Sequence, residues 1–264
     1  MNRQRLLVSI GCSVLLAAAA GGCARQAPAG GVGIDEKLGG QAALDVTLRD
    51  EDGNDVTLRR LIDKPTILTL NYFRCTGICT PLLNGLTDLL GQIPLESGRD
   101  FQVITVSFDP KDTPEIAREK RTNYLAQMTR PFPPASWRFL TGEAEATREL
   151  ADSVGFNYRM EGDQFVHPGA IMVLTAHGTV SRYLYGISFV PADVTMAVQE
   201  AARGQVRPTI SKVLAFCYSY DPAGRRWVLD ITRAAGAGVL ALVGLFGAYL
   251  LRQGRSGQKA RPRE

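Results

Sequence analysis

Histidine is the scarcest reactive residue in this 264-residue chain, which contains only two, His167 and His177. Any site that needs an imidazole must use one of them. Cysteine is sparse too, with five residues, and this excludes a small domain held together by dense disulfides. Two of the five, Cys75 and Cys79, stand four positions apart, and the other three are scattered.

A large excess of one charge is missing from most of the chain. The formal net charge is +4, and residues 252–264 hold five basic residues against one acidic residue, so the rest is close to neutral. Proteins that bind nucleic acid concentrate Lys and Arg on one face of the domain. The charge balance therefore gives no reason to expect a nucleic-acid partner.

The N-terminal segment, residues 1–23, has the pattern of an export signal. Arg3 and Arg5 precede a short apolar core of signal-peptide length. The segment ends in Ala20-Gly21-Gly22-Cys23, which resembles a bacterial lipobox and makes a lipoprotein signal with a lipidated Cys23 one alternative. Ordinary cleavage and an uncleaved anchor are the others. Residues 24–40 are rich in Ala, Gly and Pro, and this composition predicts a flexible tether.

A second apolar run lies near the other end of the chain, at residues 233–252. Its length, about 18 residues between Arg233 and Arg252, is near the lower limit for crossing a bilayer. A buried helix is the alternative, but the run has no polar face. We predict a C-terminal transmembrane helix with a basic cytoplasmic tail at residues 253–264 and an aromatic juxtamembrane segment at residues 206–232.

This topology predicts the location of the remaining domain, residues 41–205. It would lie on the periplasmic or other extracytoplasmic side of a bacterial cytoplasmic membrane, where disulfides persist. Its elements follow the order hairpin, two βα units, strand, second hairpin and helix, which predicts an α/β fold with a central mixed sheet flanked by helices. The expected strands cover residues 43–48, 55–58, 66–73, 101–108, 137–140, 170–175 and 180–185, and the expected helices follow the cysteine pair, open at residue 114, cover residues 143–154 and begin after residue 191.

The cysteine pair falls between a run of β-formers, residues 66–73, and a helical repeat of leucines that starts at Leu82. If the helix begins near Cys75, both sulfurs share the face of its first turn, with β-carbons roughly 5–6 Å apart. The helix N-terminus favours thiolate over thiol. Two adjacent thiolates suit reversible disulfide formation or a soft metal such as Cu(I). The alternative is a pair of reduced structural cysteines.

Three motifs resemble those of the Sco (SenC/PrrC) family of copper-binding thioredoxin-fold proteins, over roughly residues 40–200. The first is the stretch Tyr72-Phe73-Arg74-Cys75 through Cys79-Thr80-Pro81. The second, residues 106–114, is close to the family pattern S-x-D-P-x-x-D-T-P, and the third is a histidine, His167, just ahead of the late hairpin. The resemblance implies a thioredoxin-like sheet. The chain departs from many members at Thr76, where they carry Pro. Many members are also anchored by an N-terminal helix, whereas a C-terminal helix is predicted here.

The resemblance implies copper bound by Cys75, Cys79 and His167. It also implies a role in building the dinuclear copper site of a cytochrome c oxidase, or in keeping the cysteines of that site reduced, so the copper-site subunit of that oxidase would be the partner. Such a protein is a metallochaperone rather than a conventional enzyme. The alternative is a membrane-tethered thiol-disulfide oxidoreductase in which Cys75 and Cys79 form the redox pair, although ordinary thioredoxins use CxxC. A thiol peroxidase is a third, weaker hypothesis.

Other residues near these motifs have two readings each. His177 lies in the second hairpin's turn, where turn chemistry alone explains a polar residue, so it is the weaker candidate ligand. Asp109 and Asp112 support the site, contact a partner or close a turn, with Asp112 as the cap of the next helix; we favour the turn. Arg74 either lowers the pKa of Cys75 or is solvated.

The remaining sulfur-containing residues are expected to be structural. Cys217 is predicted to be a small buried apolar residue, with a third redox thiol or a dimer-forming thiol as the alternatives. Met128, Met160 and Met172 are predicted to lie in the core and not to form a thioether copper site.

Overall fold

The computed structural model describes residues 31–75, 77–207, 218–221, 226–229, 242–244 and 246–247. The predicted export signal at residues 1–23, the basic tail at 253–264 and Cys217 lie outside these ranges, as does nearly all of the predicted membrane helix at 233–252. Among the described residues, no helix combines the length and the apolar character needed to cross a bilayer. The C-terminal transmembrane helix therefore stays a prediction.

Within the described residues, strands and helices alternate between residues 55 and 153, and runs of strands precede and follow this part. The strands are β1 (Gly33–Ile34), β2 (Thr47–Arg49), β3 (Asp55–Thr57), β4 (Thr66–Asn71), β5 (Gln102–Ser107), β6 (Trp137–Leu140), β7 (Phe156–Asn157), β8 (Arg159–Glu161), β9 (Gln164–Val166), β10 (Ala170–Leu174), β11 (Val180–Tyr185), β12 (Tyr218–Asp221) and β13 (Arg226–Leu229). The helices are α1 (Leu58–Leu61), α2 (Cys79–Gln92), α3 (Pro114–Ala126), α4 (Ala144–Ser153) and α5 (Pro191–Ala202), with a 3-10 turn at Pro134–Ser136.

A five-stranded mixed sheet forms the centre of the domain, with the strand order β11-β10-β4-β5-β6. Strand β10 runs antiparallel to both of its neighbours, whereas β4, β5 and β6 are parallel to one another. All residues of β4 and β5 are buried, which is typical of parallel strands covered on both faces. The predicted α/β fold with a central mixed sheet is confirmed.

Alternate residues of the sheet face two separate apolar layers, because side chains on a strand alternate in direction. Ile67 and Val103 face one layer, which contains the leucines of α2 and the buried residues of α3 and α5. Leu70 and Val106 face the other layer, which contains α4 and the β2–β3 hairpin. The cysteine pair lies at the rim of the second layer, since Cys79 belongs to it and Cys75 packs against it.

The ordered domain begins earlier than the composition predicts. Gly33 and Ile34 pair with β7, and the Asp35 amide donates to the Gly155 carbonyl at 2.8 Å. Gly155 has φ +67, and a Cβ there would stand 1.9 Å from the Asp35 carbonyl oxygen, so this close approach requires glycine. The prediction of a flexible tether over residues 24–40 is therefore wrong for its last part, from Gly33 onward.

A short hairpin, β8–β9, was absent from the sequence-based prediction and carries the chain to His167. Its two strands pair only with each other in an antiparallel sheet, around a turn at Gly162 with φ +64. Every residue of β8 is exposed, so the alternation of apolar and polar residues that predicts a half-buried strand is missing. The sequence therefore contained no periodic signal for this element.

Candidate metal centre

The two cysteines lie on a loop and a helix start that follow β4 directly. Cys75 sits in the loop, where its amide donates to the Tyr72 carbonyl at 3.3 Å, and α2 begins at Cys79. The helix does not begin near Cys75, so the condition for both sulfurs to share its first turn is not met. Pro81 explains the difference, because proline is tolerated in the first turn, where amides have no helical partner, but removes a hydrogen bond from a helix interior.

The two sulfurs differ in exposure. Cys79 is 3% exposed and belongs to the core, whereas Cys75 is half-buried and accepts a hydrogen bond from the Gly77 amide at 3.3 Å. Both are free thiols. A molecule approaching from solvent therefore meets Cys75 before Cys79.

His167 meets this pair from the far end of β9, as the copper hypothesis requires. Its Nε2 lies 3.0 Å from Cys79 Sγ, and its Nδ1 lies 3.0 Å from the Pro168 carbonyl oxygen. An Nδ1–H that donates to this carbonyl leaves Nε2 free of a proton and directed at the sulfur, which is the tautomer that ligates a metal. The three ligand atoms of Cys75, Cys79 and His167 all lie within 4.8 Å of one another.

Aromatic rings surround the imidazole, which is 7% exposed. The ring centroids of Tyr72, Phe108 and Phe156 lie 5.9, 5.4 and 6.0 Å from that of His167. Apolar packing on these sides limits water around the ring and restricts its rotation. The site is thus enclosed on the side of His167 and Cys79 and open at Cys75.

One proton is unequally shared between the two thiols. A hydrogen bond from the Cys79 side chain to the Cys75 sulfur lowers the pKa of Cys75 to about 3, against the opposing effect of burial. The same hydrogen bond, followed by burial, raises the pKa of Cys79. At neutral pH the pair therefore holds one thiolate on Cys75 and one thiol on Cys79, and a metal must displace the remaining proton.

Asp112 holds the cysteine loop in place through its buried carboxylate. Its side chain is fully buried, and Oδ2 accepts hydrogen bonds from the Phe73 amide and the Ser107 hydroxyl, both at 2.6 Å. Its Oδ1 accepts a hydrogen bond from Arg74 Nε at 2.9 Å. These bonds attach the residues just before Cys75 to the loop that follows β5.

Two alternatives from the sequence are decided by this network. Asp112 does not cap α3, because Thr113 occupies that position without a side-chain hydrogen bond, so the favoured reading was wrong for Asp112. Asp109 does close a turn, since its Oδ1 accepts the Lys111 amide at 2.9 Å. The Arg74 guanidinium binds Asp112 and the Lys111 carbonyl, so it is part of the network that holds the loop.

His177 lies outside the group formed by Cys75, Cys79 and His167, and the methionines lie in the core or on the surface. His177 lies in the turn between β10 and β11, where its amide donates to Thr175 Oγ1 at 3.3 Å, as turn chemistry predicts. Met172 is fully buried and Met128 packs against the core, which confirms the prediction for both. Met160 is 54% exposed on β8, so its assignment to the core was wrong.

Sequence reasoning missed one contact at the centre. The Tyr72 hydroxyl donates to Gln164 Oε1 at 2.8 Å, across a separation of 92 positions. Neither residue type signals such a pairing in the sequence. Only the packing of the β8–β9 hairpin over the end of β4 brings them together.

Comparison with known proteins places this chain in a family. A family model for SCO1/SenC matches residues 36–203, well over half of the chain. The SCO1 protein homolog of Bacillus subtilis (strain 168) is 27% identical over 152 residues, which span 56% of this chain and 75% of that protein.

Solved structures agree with this match. A structure from Aquifex aeolicus VF5 is 30% identical, covers 64% of this chain and 95% of that chain, and superposes with a TM-score of 0.57. The structure of Arabidopsis thaliana ScoI with copper bound is 25% identical and covers 63% of this chain and 99% of that chain, with a TM-score of 0.51. The fold, the converging Cys, Cys and His ligands and the family match lead to one conclusion: the chain belongs to the SCO1/SenC family.

Proposed function

We propose that this protein binds a copper ion through Cys75, Cys79 and His167 and passes it on as cargo. The observation that carries the proposal is the convergence of two sulfurs and one imidazole nitrogen within 4.8 Å. Thiolates select soft metals such as Cu(I), and imidazole also suits Cu(II). A relative from Arabidopsis thaliana carries copper in its structure.

The spacing of the donors fits a metal. Three ligand atoms at about 2.0–2.3 Å from a first-row metal lie roughly 3.5–4 Å apart in a trigonal plane. Cys79 Sγ and His167 Nε2 stand closer than this, at 3.0 Å, and the largest separation in the group is within 4.8 Å. Side-chain shifts of about 1 Å are therefore enough to form the site.

The difference in exposure supports a transfer function. Cys79 and His167 are buried, while Cys75 is half-buried and lies in a loop. A partner's own ligand can approach from the side of Cys75 and replace it, and the buried donors then release the ion. A permanently resident metal would not need an accessible ligand.

We propose the dinuclear copper site of a cytochrome c oxidase as the destination. One protein of known structure, BsSco, is a member of the Sco family of cytochrome c oxidase assembly proteins. It is 23% identical to this chain and shares its fold, and we propose the same assembly role for this chain. The export signal and apolar segment predicted from the sequence support an extracytoplasmic location on the bacterial cytoplasmic membrane.

A second function, thiol-disulfide exchange, is favoured by the asymmetry of the thiols. The accessible Cys75 thiolate would attack a partner disulfide and form a mixed disulfide. The partner thiolate released in this step takes the proton of Cys79. The Cys79 thiolate then attacks the Cys75 sulfur and breaks the mixed disulfide; the second partner thiolate leaves and takes a proton from water, so Cys75 and Cys79 end as a disulfide and the partner as a dithiol. Both functions use the same pair, so they are compatible.

The deciding experiment is a copper titration of the purified full-length chain. We expect one copper per chain, with a sulfur-to-copper charge-transfer band for Cu(II). His167→Ala should weaken Cu(II) more than Cu(I), Cys75→Ser should weaken both, and His177→Ala is the matched control that should change neither. Equal copper uptake by the wild-type chain and the three variants would show that Cys75 and His167 do not bind copper. Reduction of a model protein disulfide by the metal-free chain tests the second function.

A further inference from the structure

The β8–β9 hairpin that leads to His167 is outside the central sheet. Its strands pair with each other, so side chains must set its position relative to the cysteines. At its base, Arg148 lies over the Tyr158 ring at 3.7 Å and donates to the Tyr158 carbonyl at 3.2 Å. The part next to His167 needs a separate attachment, because Arg148 contacts the chain before the hairpin begins.

Tyr72 supplies a contact at that second point. It stands three positions before Cys75, and its hydroxyl donates to Gln164, which stands three positions before His167, at 2.8 Å. The Tyr72 ring also meets Phe165 and His167 edge-on, at centroid distances of 5.4 and 5.9 Å. One buried side chain therefore contacts the hairpin and His167, and its backbone belongs to the segment that leads into Cys75.

The two kinds of contact differ in what they specify. Ring contacts favour edge-on or offset arrangements but allow centroid distances from about 4.5 to 7 Å, whereas a hydrogen bond allows only a narrow range of distance and angle.

We propose that the Tyr72 hydroxyl and the Gln164 side chain are positioning groups, which hold the β8–β9 hairpin and with it the His167 imidazole over the two sulfurs. The inference rests on the proposed copper function for its metal-dependent consequence. Two thiolates suffice for Cu(I), and the imidazole matters most for Cu(II). The hydroxyl should therefore affect Cu(II) selectively, although it is not itself placed among the ligands.

The test uses Tyr72→Phe in the full-length chain, which removes one oxygen and keeps the ring packing. We expect Cu(II) affinity to fall about tenfold, the usual effect of losing one hydrogen bond, while Cu(I) affinity stays within about twofold. The nitrogen coupling in the Cu(II) electron paramagnetic resonance spectrum should weaken. Gln164→Leu should reproduce these effects, and the double variant should be no worse than either single variant.

Two controls separate positioning from general destabilisation. Tyr183→Phe removes another buried hydroxyl, which donates to the Val154 carbonyl at 2.8 Å, and should leave both copper affinities unchanged. In a His167→Ala background, Tyr72→Phe should have no further effect on Cu(II). An equal Cu(II) loss in that background, or no loss in the wild-type background, overturns the proposal.

A metal-free measurement keeps this inference separate from the copper function. Amide hydrogen exchange of β9 should accelerate about tenfold in Tyr72→Phe, with β4 unchanged. If the wild-type chain binds no copper, the proposed function is wrong, but the exchange data still test whether Tyr72 and Gln164 hold the β8–β9 hairpin. Unchanged exchange in β9 rejects the positioning role whatever the copper titration shows.

Discussion

Replacement of Asp112 by Ala should damage the protein far more than the same change at Asp109, three positions earlier. Both side chains are nearly inaccessible, at 5% and 8% exposure of the residue. Asp112 accepts bonds from the Phe73 amide, the Ser107 hydroxyl and Arg74, whereas Asp109 Oδ1 accepts the Lys111 amide. The two variants thus compare a loop anchor with a local turn.

The magnitude follows from what each variant leaves unpaired. Loss of Asp112 leaves a buried amide without its partner and a hydroxyl without one of its bonds, at about 1–3 kcal/mol for each. The ion pair adds little, because Arg74 is 49% exposed and its charge returns to water. We expect a total of roughly 3–5 kcal/mol for Asp112→Ala and about 1 kcal/mol for Asp109→Ala.

The assay is thermal unfolding of the full-length chain. In a domain of this size, 1 kcal/mol corresponds to about 2–4 °C in Tm, so Tm should fall by roughly 10 °C for Asp112→Ala and about 3 °C for Asp109→Ala. Copper affinity should fall with the first variant and not with the second, because Asp112 holds the residues before Cys75. Equal Tm losses in the two variants would refute the anchoring role.

Three further predictions concern the thiols, the pH dependence and the N-terminal contact. In the metal-free chain, iodoacetamide should modify Cys75 at a rate nearly constant from pH 5 to 8, since its pKa is lowered to about 3. Mass spectrometry of the peptides measures this rate, and a tenfold rise per pH unit would contradict the prediction. Burial acts to raise the pKa of Asp50, but hydrogen bonds from its own loop's amides hold the pKa below the usual value. The stability it contributes is therefore present above its unfolded pKa and lost as the pH falls through the folded pKa, so Asp50→Asn should lower Tm at pH 7 and much less at pH 3. Gly155→Ala should lower Tm strongly because a Cβ would stand 1.9 Å from the Asp35 carbonyl oxygen. Gly162→Ala is the control, since at φ +64 with no atom within 4 Å it adds only backbone strain. Equal losses of Tm would mean that the contact of the β1 segment with Gly155 contributes nothing to stability.

Local pattern was a sufficient guide to the central sheet. The β-forming run before the cysteines became β4, and the strand predicted at residues 101–108 became β5. Pro114 opens α3 as its position in the sequence indicates. These elements are specified by periodicity and by proline, both of which act over a few residues. The β8–β9 hairpin has exposed residues and no such periodicity, which is why it was missed.

The first residue of α2 depends on Pro81 as well as on the leucine repeat. The repeat predicts a helix after the central strand but does not fix where it begins, whereas a proline in the helix interior would remove a hydrogen bond. The helix begins at Cys79 rather than near Cys75. This difference matters chemically, because it places Cys75 on a loop with its sulfur half-buried and leaves Cys79 in the core.

The sequence alone determined the order of strands and helices, the cysteine pair at the end of a buried strand and, through motif resemblance, the choice of His167 over His177. The tertiary structure decided what converges there. His167 reaches Cys79 across 88 positions, Asp112 reaches the Phe73 amide across 39, and Tyr72 reaches Gln164 across 92. Periodicity reports only which face of an element is apolar, whereas the distance between remote side chains depends on how the sheet orders its strands and packs the hairpin beside them.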